Sequence, residues 1–182
     1  MDIKTLIAQT LGIFAMALNI LSYQQKKHSQ AIACQLVGSL LFIFNYYLLG
    51  ATMGTIMNAV GFIRAIVYLK RKTFHADHIL WLLGFVVTYV TSYVLTFTVF
   101  GKEPTPANLL VEFLPVIGMT ATTISFRLTD AKAIRRFGLV SAPEWLVYNF
   151  LSRSVGGTLC DLFGLCSICI GMVRLDRKKA AA

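Results

Sequence analysis

The sequence predicts an all-α membrane protein: seven transmembrane helices, arranged as two parallel three-helix repeats joined by a linker helix. Three observations predict it. Of the 182 residues, 57% are apolar and only 14% are charged, against roughly half and a quarter in soluble domains. The apolar residues fall into runs of about 17 to 23, long enough for a hydrocarbon core that about 20 helical residues cross. Finally, one motif returns 103 residues after its first occurrence. The low polarity excludes a disordered chain. The runs do not alternate in polarity, which excludes a membrane β-barrel.

The first span, 4–23, is long for the apolar region of a signal peptide and lacks a small-residue cleavage site, so it is expected to be retained. The second, 30–49, carries Asn45-Tyr46-Tyr47, and the third, 51–69, carries Gly54, Asn58, Gly61 and Arg64. The fourth, 78–100, is the linker; the fifth, 108–126, contains Glu112 and Pro115. The sixth, 137–153, is short and holds Pro143 and Glu144. Proline is accommodated in a membrane helix when neighbours satisfy the freed backbone groups. The seventh, 155–174, holds Asp161 and Cys166-x-x-Cys169. The corresponding units are 1–72, the first repeat; 73–103, the linker; and 104–182, the second repeat with a short basic tail.

The net charge of +9 tests the count. With seven spans, 14 of the 17 Lys and Arg fall on one side, and Lys4, Lys102 and Arg153 on the other. The positive-inside rule then predicts the N-terminus outside and the C-terminus in the cytoplasm. Deleting the sixth span would put the last basic cluster on the wrong side. Because the excess sits in short juxtamembrane loops without interleaved aromatics, it signals orientation and attraction to anionic lipid, not nucleic acid.

The repeat aligns Gly54-Thr55-Ile56-Met57-Asn58-Ala59-Val60-Gly61 with Gly157-Thr158-Leu159-Cys160-Asp161-Leu162-Phe163-Gly164. The same offset pairs Ser22-Tyr23 with Ser125-Phe126, Leu36-Val37 with Leu139-Val140, and Arg71 with Arg174; a one-residue shift pairs Phe44-Asn45-Tyr46 with Tyr148-Asn149-Phe150. Four crossings separate the first and fifth spans, so the triplets share one orientation and are related by an axis along the membrane normal. Parallel repeats of this kind, the arrangement also found in SWEET transporters, place a binding site between the halves.

The 3+1+3 plan, the outside N-terminus and Asn58-x-x-Gly61 resemble the SWEET, SemiSWEET and PQ-loop group of small-solute carriers. Glu112-Phe113-Leu114-Pro115-Val116-Ile117-Gly118 and Ser154-Val155-Gly156-Gly157-Thr158 resemble the YgjV-type bacterial inner-membrane proteins over most of the chain. That second resemblance implies a fold and a multi-pass inner-membrane location, without a settled substrate. In the sugar carriers an Asn on the third helix of each triplet faces the substrate; the matching positions here are Asn58 and Asp161. The acid at the second position departs from the sugar pattern and admits a cationic or proton-coupled cargo. The family's prolines match only at Pro115 and Pro143, which the resemblance marks as hinges; Gly12 and Leu40 stand at their repeat partners, and Ser22-Tyr23-Gln24-Gln25 replaces the Pro-Gln signature.

Asn58 and Asp161 are expected at equal depth, where a polar pair suits a substrate-binding pocket; the alternative is an interhelical link and a neutral structural acid. Arg64 and Glu144 are expected to form a charge pair that is structural or an inner gate. Glu112 is expected to be either an interfacial acid or a proton site, a role also open to Asp161. Asn45, Tyr46, Trp145, Tyr148 and Asn149 are candidates to line the pocket by stacking and hydrogen bonding, with plain packing as the alternative.

Cys34, Cys160, Cys166 and Cys169 lie inside spans, which disfavours a disulfide framework, and no second ligand pair accompanies the Cys-x-x-Cys dipeptide, so no metal is expected. His28, His75 and His78 fall in loops, leaving no embedded histidine for haem. Without His-Glu-x-x-His or Gly-x-Ser-x-Gly, neither catalytic residues nor a cofactor is expected. The expected function is a carrier of a small polar solute working by alternating access, with the lipid bilayer as its environment. A non-transporting receptor or assembly protein of the same fold is the alternative. Two triplets complete a pocket in one chain, while a homo-oligomer stays compatible with the sequence.

Overall fold

The computed structural model describes residues 3–176; Arg177, Lys178 and Lys179 of the predicted basic tail lie outside the described residues. Each apolar run forms a helix because neither water nor lipid can satisfy its backbone groups more cheaply than its own i→i−4 bonds. The helices are α1 (Ile3–Tyr23), α2 (His28–Leu49), α3 (Thr52–Leu69), α4 (Arg71–Phe74), α5 (Ile79–Thr98), α6 (Pro106–Arg127), α7 (Ala131–Leu151) and α8 (Val155–Gly171), the last continuing into a π-helical turn, Met172–Asp176. No strand occurs among the described residues.

Tight turns are written locally. Gly50 ends α2 in the left-handed conformation (φ 73°), which glycine adopts without a Cβ penalty. Thr105 caps α6 by accepting from Asn108 N at 3.2 Å, with Pro106 following it. Ser154 caps α8 by accepting from Gly157 N at 3.2 Å.

Among the described residues six helices, α1, α2, α3, α5, α6 and α8 with its π turn, are long and apolar enough to cross a membrane. α7 matches them in length, at 21 residues, but contains Lys132, Arg135, Arg136 and Glu144. This corrects the expected span 137–153: the helix starts at Ala131, where Asp130 accepts from Lys132 N at 3.0 Å. The three cations therefore belong to its opening turns.

α1 packs on α2 and α8, α2 on α3, α3 on α6, α6 on α7, and α7 on α8, closing a ring of six. α5 lies outside it against α3 and α6. Its buried residues, Phe85, Tyr89, Ser92 and Thr96, repeat every three to four positions and so form the single stripe a peripheral helix needs. α1 buries Ala8, Gly12, Ala15 and Ser22, small residues that bring helix backbones close. The outward surface is apolar, with Leu110 and Phe150 each 71% exposed, as hydrocarbon contact requires.

One end of the ring gathers the α2–α3, α5–α6 and α7–α8 connections. There Gln9 clamps the α7–α8 turn, donating to Arg153 O at 3.2 Å and accepting from Val155 N at 3.1 Å. At the opposite, basic end Arg71 donates to Phe126 O (2.6 Å) and Arg127 O (2.7 Å). These carbonyls close α6 and have no intrahelical partner.

Candidate functional site

At the centre of the ring is a cavity of about 80 Å³, walled by Asn19 and Tyr23 of α1, Gln35 and Tyr46 of α2, Asn58 and Arg64 of α3, Thr122 of α6, Trp145 and Asn149 of α7, and Cys160 and Asp161 of α8. That volume holds several waters, since one needs roughly 10–15 Å³. Polar side chains aimed inward from apolar helices define this space.

Asn58 and Asp161 are each the seventh residue of their helix and face the same cavity. Tyr46 Oη donates to Asn149 Oδ1, and Asn149 Nδ2 donates to Asp161 Oδ2 at 2.6 Å. This chain joins α2, α7 and α8 and leaves Asp161 Oδ1 without a hydrogen bond. Asn58 Nδ2 turns back to Gly54 O at 2.9 Å, so its carbonyl oxygen is the half free to act.

Arg64 is 4% exposed. Its Nη1 donates to Met119 O (3.1 Å), Thr123 Oγ1 (3.2 Å) and Tyr89 Oη (3.3 Å), and the guanidinium lies 4.7 Å from the Phe126 ring centre. The expected Arg64–Glu144 pair does not form. With α7 starting at Ala131, Glu144 sits in the half of its helix nearer the Gly50 end, whereas Arg64 is five residues from the basic end of α3. Glu144 Oε2 is buried without a hydrogen-bond partner.

A second recess, about 570 Å³, opens at the Gly50 end between Met53, Thr96, Lys102, Asn108, Glu112 and Tyr148. Glu112 is 3% exposed, pairs with Lys102, and leaves Oε2 buried without a hydrogen bond. It belongs to this recess, not to the central cavity. Removing Lys102 strands a buried charge, which costs about 3–5 kcal/mol for a fully buried pair; Lys102 is 38% exposed, so screening reduces this. Lys102→Met is expected to lower the melting temperature in detergent and Glu112→Gln in the same chain to restore it, as differential scanning fluorimetry will read.

Aromatic rings divide the two spaces. Tyr46 and Trp145 face the cavity, Tyr148 faces the recess, and their ring centres stand 5.6–6.2 Å apart. Tyr148 Oη accepts from Gly54 N at 2.7 Å, one of the amides at the start of α3 that lack an intrahelical partner. Tyr148→Phe is expected to cost about 1–3 kcal/mol, the penalty for an unsatisfied buried donor, measurable as a lowered unfolding midpoint.

Other candidates move out of the cavity. Asn45 is fully buried between helices, donating to Ala8 O at 2.7 Å and accepting from Ser154 Oγ at 2.9 Å. Tyr47 is 70% exposed on the outer surface. Pro115 is buried within α6 and Pro143 exposed on α7, and both helices run through them. Asn19, Gln35 and Thr122 were not anticipated, although an amide in the middle of an apolar run is itself a signal of an inward face.

An apolar helical ring around a polar core defines a polytopic membrane protein. The chain belongs to the Imp-YgjV family, described as bacterial inner membrane protein, whose family model matches residues 6–179. Comparison with curated proteins and with solved structures gives no match.

Proposed function

We propose that this chain carries a small polar solute across the inner membrane by alternating access around the central cavity. All seven long helices cross, with the basic end cytoplasmic and the Gly50 end outside, as the Lys and Arg distribution favours. α1–α3 and α6–α8 form two parallel repeats about an axis along the membrane normal, and α5 links them.

Contacts that recur at the same offset support the repeat. Residues related by a twofold meet on its axis; at the 103-residue offset, without the one-residue shift that pairs Asn45 with Asn149, Tyr46 aligns with Asn149, to which it donates. A Cβ on Gly54 would meet Tyr46, and one on Gly157 would meet Asn149. Ser167 donates to Ile20 O as Arg64 does to Thr123; Ser167 stands 103 positions after Arg64, and Thr123 stands 103 positions after Ile20.

The observation that carries the carrier reading is the polar cavity on that axis, closed toward the Gly50 end by the Tyr46–Trp145–Tyr148 rings. Asp161 and Asn58 bind cargo from opposite walls, and Asp161 is placed to take a proton when it loses a cationic partner. Tilting of the halves exposes the cavity to each side in turn.

Cys160 lines the cavity and provides a test that needs no known solute. With Cys34, Cys166 and Cys169 replaced by Ala, a small membrane-impermeant thiosulfonate is expected to modify Cys160 from either face of oriented vesicles. Modification confined to one face would contradict alternating access and favour a receptor or assembly protein of the same fold.

A further inference from the structure

The cavity wall holds one fixed cation, Arg64, and one carboxylate, Asp161, which are not paired with each other; its other lining side chains are uncharged. Each charge has a face to spare. Arg64 spends Nη1 on α5 and α6, while Nε is buried without a partner and Nη2 makes no hydrogen bond. Asp161 spends Oδ2 on Asn149 and keeps Oδ1. A guanidinium without a carboxylate is an expensive group inside a membrane, and this one is 4% exposed.

The levels are compatible. A Cβ on Gly61 would stand 3.7 Å from Arg64 Nη2, so the guanidinium reaches up to the Gly61 turn. Gly61 lies three residues below Asn58, whose level Asp161 shares on the opposite wall, an axial offset of about 4.5 Å. Two charge-assisted hydrogen bonds of about 2.8 Å each, separated by a short carbon spacer, bridge such an offset.

We infer that the solute is a small zwitterion with the charge pattern of an α-amino acid, its carboxylate held by Arg64 and its ammonium by Asp161. The inference rests on the carrier reading and names the cargo of that same cavity. A free amine leaves Arg64 unanswered, a free acid leaves Asp161 unanswered, and a sugar leaves both. Sites built on buried polar groups reject analogues that fail to satisfy them. The cavity volume of about 80 Å³ suits the smallest side chains, those of glycine and alanine.

The test is equilibrium binding to the purified full chain in nanodiscs, with L-alanine, glycine, ethylamine, propionate and erythritol as probes. L-Alanine and glycine are expected to bind, and ethylamine, propionate and erythritol at least about 100-fold more weakly. Asp161→Asn keeps the shape and is expected to weaken L-alanine at least tenfold while leaving propionate unchanged. Arg64→Lys is expected to weaken L-alanine and leave ethylamine unchanged, with the melting temperature reporting that the fold survives. Absence of L-alanine and glycine binding, or ethylamine or erythritol binding as tightly as L-alanine, overturns the zwitterion assignment and leaves the carrier reading standing. Binding of L-alanine without flux of any solute in proteoliposomes keeps the assignment and overturns the carrier.

Discussion

Gly156→Ala is expected to abolish the folded protein or to lower its unfolding midpoint more than any other single substitution in the ring. A Cβ at Gly156 would lie 2.3 Å from Gly12 C and 2.6 Å from Gly12 Cα, distances no flexible side chain can relieve because the obstacle is backbone. α1 and α8 would have to separate. That would also displace Asn45, whose amide stands 2.9 Å from a Cβ on Gly12 and holds α1 to the Ser154 cap. Overpacking typically costs about 1–3 kcal/mol and more where backbone must move. As a control, Gly84→Ala, where nothing lies within 4 Å, is expected to leave the midpoint unchanged. Thermal unfolding in detergent, read by Trp fluorescence, compares the two.

Asp161→Ala is expected to reduce solute flux at least about 100-fold, since the loss of a buried charged contact leaves both cargo and Asn149 without their partner. Asn58→Ala, on another helix lining the same cavity, is expected to cost only about 3- to 10-fold, the worth of one ordinary hydrogen bond. The asymmetry follows from Asn58 Nδ2 being already bonded to Gly54 O, whereas Asp161 keeps a free oxygen. Equal effects of the two substitutions would mean that both act through packing.

Much of this arrangement was legible in the chain. The expected spans 4–23, 30–49 and 51–69 fall within two residues of α1, α2 and α3, because long apolar runs bounded by Lys26-Lys27, Gly50 and Lys70-Arg71 leave little freedom. Asn58 and Asp161 line one cavity. α7 was misplaced because Lys132, Arg135 and Arg136 read as a loop, although Asp130 carried the signal of a helix cap. That boundary error placed Glu144 at the wrong depth and produced the unformed pair with Arg64. Asn45 failed for a different reason. Adjacent helical residues point about 100° apart, so Tyr46 faces the cavity and Asn45 faces α1, and no pattern in one sequence fixed that rotation. Arg64's uncharged partners, Tyr89 and Thr123, lie 25 and 59 residues away and only packing brings them to it.

Counterflow in proteoliposomes tests the central claim most directly. Vesicles holding the wild-type chain and preloaded with unlabelled solute, L-alanine first and then sugars, amines and acids, are mixed with a trace of the labelled compound. A carrier predicts transient, saturable accumulation of label above equilibrium, lost with Asp161→Ala while the purified variant still unfolds in a single cooperative transition. No accumulation for any solute class, or accumulation unaffected by Asp161→Ala, would contradict transport through the central cavity.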